Sequence, residues 1–453
     1  MPFAPFHHRV VILLLSLVFF SLQACTPVPP DEKAPTDAGD TDNDKPKPAV
    51  AFSTKELREL KKLSPLPSKL PNNPTNKVAN DPKAAHFGQF LFYDKRLSSN
   101  GEISCATCHD PDKGLGDGIP LSKGVGQTPR NAPHLWNLAF NRWFFWDGRA
   151  DTVWMQAMGP IESPKEMGYS RLQLAHLLRK DSALKKAYEE IFGPLPDLSD
   201  EKRFPLKGGP IGESDDPLRK AWEGMKEDDQ KTINVIFSNV AKAIEAYQRK
   251  LLSKDSPFDV FVEGLKTNDA SKLKALSASA QRGAQIFVGK GNCTLCHTGS
   301  NFTDMEFHNI GLALPANRTQ ADSGRFLGIP EVKASKFNGL GPYSDGPDDD
   351  INDRIRFVKQ NSNNLGEFKT PSLRSVALTG PYMHDGRFKT LEEVVNFYND
   401  LKDKPAIGHR EESLQKLKLS DQQKKDLVAF LKSLTGKPLS AELLKQPSSP
   451  SLP

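Results

Sequence analysis

Cysteine is scarce in this chain, five in 453 residues, so the place of each one carries information. Long apolar runs are missing after the first two dozen residues, which excludes a later transmembrane span. Charge of one sign is missing too. The 61 Lys and Arg against 56 Asp and Glu leave a formal +5 spread along the chain, which excludes a nucleic-acid footprint. What remains is an ordinary soluble composition, 37% hydrophobic and 26% charged, with a mean hydropathy of −0.52. The length exceeds one small core and suffices for two domains plus tails.

The N-terminus is of another material. His7-His8-Arg9 precedes the apolar run VVILLLSLVFF (10–20) and then SLQAC. A basic start, a short apolar core and small residues before a cut site predict a secretory signal over 1–24. Leu22-Gln23-Ala24-Cys25 resembles the bacterial lipobox, which implies lipidation of Cys25 and a membrane anchor. Thr26, in place of an Asp, favours the outer membrane. Residues 25–51, rich in Pro, Asp and Lys, predict a flexible tether. The expected location is the periplasm, lipid-anchored.

The other four cysteines form two pairs, in EISCATCHDPDKG (102–114) and GNCTLCHTG (291–299), each followed at once by a histidine. Disulfides suit an exported chain but leave His109 and His297 unexplained. Structural zinc sites usually bring their pairs within a few tens of residues, and these lie in separate halves. Covalent c-type haem accounts for all six residues. Cys105 and Cys108, and Cys293 and Cys296, add across the vinyl groups, while His109 and His297 bind iron.

Helical signals surround each motif. Gly88 and Phe92 lie four apart in FGQFLF (87–92), as do Gly283 and Phe287 in RGAQIF (282–287). Apolar residues recur at helical spacing in 233–252 and 421–434. The fold expected is mainly α, with two tandem cytochrome c-like haem domains and long loops: 52–253, 254–440 and a tail at 441–453. Residues 194–232 and 325–366, polar and Gly/Pro-punctuated, read as additions that shape a partner surface or the first haem's entrance.

The blocks CATCHDPDKGLGDG, RNAPHLWN, FFWDGRADTVWMQAMGPIESPKEMG, CTLCHTG, KTPSLRSVALTGPYMHDG and TLEEVVNFY resemble the bacterial di-haem cytochrome c peroxidase/MauG family over roughly residues 55–436. The resemblance implies a peroxidase that reduces hydrogen peroxide with electrons from a small cytochrome c or cupredoxin. Its alternatives are MauG-like oxidation of a protein or other bulky donor, and a non-catalytic di-haem electron carrier. It implies Glu166 as the distal acid–base group, with Glu162 as local competitor. Gln156 and Pro160 fall in the distal pocket, and Trp146 between the haems. The loop 110–133 holds no histidine, and His134 reads as packing, so the first haem is expected to be five-coordinate. Tyr398 falls at the second haem's sixth-ligand position, with Met383 and His384 as fallbacks; phenolate there favours ferric and higher states. Asn131, Thr379 and Pro381 match a calcium site; the acidic run 345–354 reads as a solvated insertion. His86, His176, His308 and His409 are assigned no role. Homodimerisation is left open.

Overall fold

Two helix crossings organise the chain, and a glycine makes each one possible. In the computed structural model, which describes residues 46–452, helix α2 (Pro82–Tyr93) crosses α4 (Glu227–Gln248), and α5 (Ala278–Val288) crosses α8 (Asp421–Lys432). A Cβ on Gly88 would collide with the Ala243 carbonyl, and one on Gly283 with the Asp426 carbonyl. Only glycine lets the two backbones meet so closely. In both halves the Gly–Phe helix crosses the helix formed by the segment of helical period, 233–252 or 421–434. The signal segment 1–24, Cys25 and most of the 25–51 tether lie outside the described residues. No helix among the described residues is long and apolar enough to cross a membrane.

Each crossing nucleates its own core. The first gathers Phe87, Phe92, Trp154, Ile244 and Tyr247; the second gathers Phe258, Phe287, Phe302 and Phe430. Helix α3 (Val153–Glu162), capped by Thr152, packs on α4 in the first half. Helix α7 (Leu391–Asp400), capped by Thr390 with Glu393 closing a capping box, packs on α8 in the second. The pairing Phe307↔Lys369 and His308↔Phe368 makes a two-stranded antiparallel ribbon.

The chain ends cross over, which the boundaries 52–253 and 441–453 did not anticipate. Helix α1 (Thr54–Lys62) buries Leu60, and with it Leu63, in the second core, and Gln281 and Gln285 of α5 bind the backbone at Val50 and Ala51. The C-terminal segment lies on the first core: Gln89 donates to the Glu442 and Lys445 carbonyls, and Tyr247 to Leu443. These contacts join residues hundreds of positions apart, so no local pattern announces them.

The two segments read as additions are also anchored. Leu195, Leu198, Phe204, Trp222 and Met225 of 194–232 are buried in the first core. In 325–366, helix α6 (Arg325–Ala334) seats the Arg325 guanidinium 4.1 Å from the Trp143 ring centroid and donates to the Gly148 carbonyl at 2.8 Å.

Candidate active site

The histidine of each pentapeptide is oriented by its own loop. His109 Nδ1 lies 3.1 Å from the Leu115 carbonyl, and His297 Nδ1 lies 2.9 Å from that of Phe302. Both acceptors sit at positive φ, +61° and +53°, which turns the carbonyl back toward the ring. Nδ1 donates to the chain, so Nε2 is the lone-pair nitrogen. Burial lowers the pKa of both rings and holds them neutral, the form that binds metal.

All four cysteines are free thiols. Burial pushes Cys105, Cys108 and Cys293 up to about 12. Neutral thiols in apolar surroundings suit neither a reactive thiolate nor a zinc ligand. Cys296 also approaches Asp304 and His308 closely enough to suggest a metal cluster. His308 is instead clamped by Asp304 at 2.8 Å and Glu411 at 3.0 Å and held up at about 11, chiefly by Asp304. A charged imidazolium is no ligand.

One cavity of about 310 Å³ is lined by both His109 and His297, with Trp146, Gln156 and Tyr398 also on its walls. Most of its lining is apolar, and the buried Trp136 indole N–H and Asp117 Oδ2 have no partner among the described residues. Paired free thiols, neutral histidines oriented through Nδ1, apolar walls and spare buried polar atoms fit two thioether-bound haems.

The wall repeats itself. Phe144-Phe145-Trp146-Asp147-Gly148-Arg149-Ala150 and Tyr382-Met383-His384-Asp385-Gly386-Arg387-Phe388 adopt the same turn. Phe144 N donates to Ala150 O at 2.8 Å, and Tyr382 N to Phe388 O at 2.7 Å. Phe145 and Met383 share positive φ, as do Gly148 and Gly386. In each turn the Asp carboxylate accepts from the Arg two residues on. Each then leads into a Thr-capped helix, α3 or α7. By this register Trp146 corresponds to His384, Gln156 to Val394 and Pro160 to Tyr398. The D-G-R repeat was present in the sequence and would have found this relation.

Trp146 is fixed at three points. Its Nε1 donates to the Asn131 carbonyl at 2.9 Å, its own carbonyl accepts from Lys369 N at 2.8 Å, and the next residue, Asp147, is gripped by Arg130 and Arg149. His384 stacks on Phe368 at 3.7 Å between centroids and 11° between planes. His134 spends both ring nitrogens on the chain, Nδ1 accepting from Trp136 N and Nε2 facing the Ser372 carbonyl.

The two candidate carboxylates separate clearly. Glu162 is buried against Arg171 in a bidentate pair, with oxygens at 2.9 and 2.6 Å. Glu166 has no such partner: burial raises its pKa, while Ser163 and the Arg149 charge pull it back down. It lies within electrostatic reach of Cys105 and Cys108. Tyr398 is in the same relation to Cys296 and Cys293, and its phenol is pushed up chiefly by burial. Asn131, Thr379 and Pro381 line the shared cavity, and Asn131 Nδ2 is committed to the Ile119 carbonyl.

Comparison with known proteins gives the same picture. A family model described as di-haem cytochrome c peroxidase matches residues 82–267. The methylamine utilization protein MauG of Methylorubrum extorquens is 31% identical, covering 87% of this chain and 90% of its own. The cytochrome-c peroxidase IdrP2 of Denitromonas iodatirespirans is 32% identical over 80% of this chain and 84% of its own. Among solved structures, a MauG-like protein associated with microbial copper homeostasis superposes with a TM-score of 0.58 at 26% identity, covering 84% of this chain and 98% of that one.

Proposed function

This chain belongs to the di-haem cytochrome c peroxidase/MauG family, and on that premise we propose that its first half holds the peroxide site and its second half the electron-storing site. It is a peroxidase, an oxidoreductase with two c-type haems. The division of labour rests on one observation: Pro160 stands on α3 where Tyr398 stands on α7. The proline ring has no ligand atom, so a haem held by His109 would meet none there, whereas the Tyr398 phenol oxygen would be available to one held by His297.

When bound, the haems supply the iron redox chemistry that splits the peroxide O–O bond and moves electrons between the halves. The chain's own residues do the rest. Glu166 takes the proton from the near peroxide oxygen and returns it to the far one, so that the far oxygen leaves as water. Burial raises its proton affinity toward what that two-way transfer requires. Gln156 and Pro160, one turn apart on α3, shape the same pocket. Trp146 carries electrons between the halves, and its backbone and indole bonds hold the ring in one place. Two electrons and two protons turn one peroxide into two waters.

The donor reading is a small redox protein, a cytochrome c or cupredoxin. A second reading, oxidation of a protein or other bulky donor, is favoured by Tyr398, since an oxygen ligand stabilises ferric and higher states. A calcium ion between the halves, held by Asn131 Oδ1 and the Thr379 and Pro381 carbonyls, is part of the same proposal. So are periplasmic location and a lipid anchor at Cys25. Stopped-flow spectroscopy of the ferric holoenzyme with peroxide tests it. A rapid oxidised spectrum shared by both haems supports the Tyr398-based reading; a response only after partial reduction supports the small-protein donor. No response in either state contradicts the peroxide site.

A further inference from the structure

The two crossings match in register but not in their aromatic fill. Counted from the glycine, Phe92 corresponds to Phe287 and Tyr93 to Val288; counted from the carbonyl it meets, Tyr247 corresponds to Phe430. The second crossing is filled with phenylalanine alone, Phe258, Phe287, Phe302 and Phe430. The first carries two phenols. The Phe92 ring lies 6.5 Å from the His109 ring and 5.4 and 5.2 Å from those of Tyr93 and Tyr247. The phenol oxygens are 3.3 Å apart, and Tyr247 donates to the Leu443 carbonyl at 2.6 Å, so the bond between them runs from Tyr93 to Tyr247.

A phenol gives up an electron far more readily than a benzene ring, because its proton can leave at the same time. The two tyrosines differ in that respect. Tyr247 is fully buried beneath the C-terminal segment, and its acceptor is an amide carbonyl, which takes no proton. Tyr93 is half-buried and reaches water.

We propose that Tyr93 is a redox-active side chain of the first half, an outlet for oxidising equivalents when the external donor is scarce. It gives one electron, through the Phe92 contact, to the centre oxidised by peroxide at His109. Its O–H bond breaks, the proton passes to water, and a neutral phenoxyl radical remains. One electron from a reductant and one proton from water restore it. Tyr247 holds the phenol in register. The second half, with Val288 and Phe430 at the matching places, has no such outlet. The inference rests on the reading that peroxide reacts in the first half.

The test is freeze-quench electron paramagnetic resonance of the holoenzyme mixed with hydrogen peroxide and no donor. The expected result is a radical whose hyperfine pattern collapses when the protein is grown on ring-deuterated tyrosine. Tyr93→Phe abolishes the signal while haem content and donor-supported peroxide consumption match wild type. Tyr247→Phe keeps the signal, because Tyr247 holds the Tyr93 phenol in place and is not itself the radical. A wild-type enzyme that consumes peroxide without a tyrosine-derived signal overturns the proposal, as does a signal that survives in Tyr93→Phe. A wild-type enzyme that consumes no peroxide even with a donor overturns the reading beneath it as well.

Discussion

Eight residues past its capping threonine, the first half places Pro160 on a helix; eight residues past the matching threonine, the second places Tyr398. The turns before those helices share a backbone, and the crossings behind them share a glycine contact. Side chains that differ between these equivalent frames include the ones that carry chemistry. Trp146 is set against His384, Gln156 against Val394, Pro160 against Tyr398, and Tyr247 against Phe430. The lesson is that chemistry was divided by substitution at fixed positions, with the scaffold held constant. The first crossing carries two phenols where the second is filled with phenylalanine.

The comparison can be broken most severely at Glu166, which has no equivalent acid in the second half's helix register. Glu166→Gln should lower peroxide turnover by about 10²–10⁴-fold in steady-state assays, with both haems retained. Turnover should also depend on pH in a defined direction. Burial raises the Glu166 pKa, and the ionised form is the base, so the rate falls as pH drops through a value above the ordinary carboxylate range. The variant should lack that limb of the pH profile.

Next in size is a difference in what locks each half. Arg374 is fully buried and pairs with Asp259 at 2.5 Å, while its first-half counterpart is Trp136. Asp259→Ala leaves a buried cation unpaired and should cost about 3–5 kcal/mol, read as a lower thermal midpoint. The absorbance of the second haem should be lost first.

Smaller still is the shared feature. Gly88→Ala and Gly283→Ala each push a methyl group into a carbonyl across the crossing. Each should cost about 1–3 kcal/mol by chemical denaturation. Similar costs would sharpen the view that the two crossings are one design; a large disparity would break it.

Much of this was legible in the sequence. The pentapeptides, the Gly–Phe pairs and the amphipathic period of 421–434 are local signals, and the helices formed where they stood. The pairing of Glu162 was not legible, because Arg171 returns to it from the next helix. His308 gave no signal because its clamp includes Glu411, 103 residues away. The crossed chain ends escaped for the same reason: Leu60 and Leu63 show an apolar face but not which core receives it. Segment 194–232 read as an addition to the core because its buried Leu195, Leu198, Phe204 and Trp222 are spaced without period among Pro, Gly and charge.

The asymmetry itself is tested most directly by low-temperature electron paramagnetic resonance of the fully oxidised holoprotein. One high-spin and one low-spin ferric signal in equal amounts are expected, and Tyr398→Phe should alter the low-spin signal alone. Two low-spin signals in the wild-type protein would mean that the Pro160 side is closed, and would contradict the account.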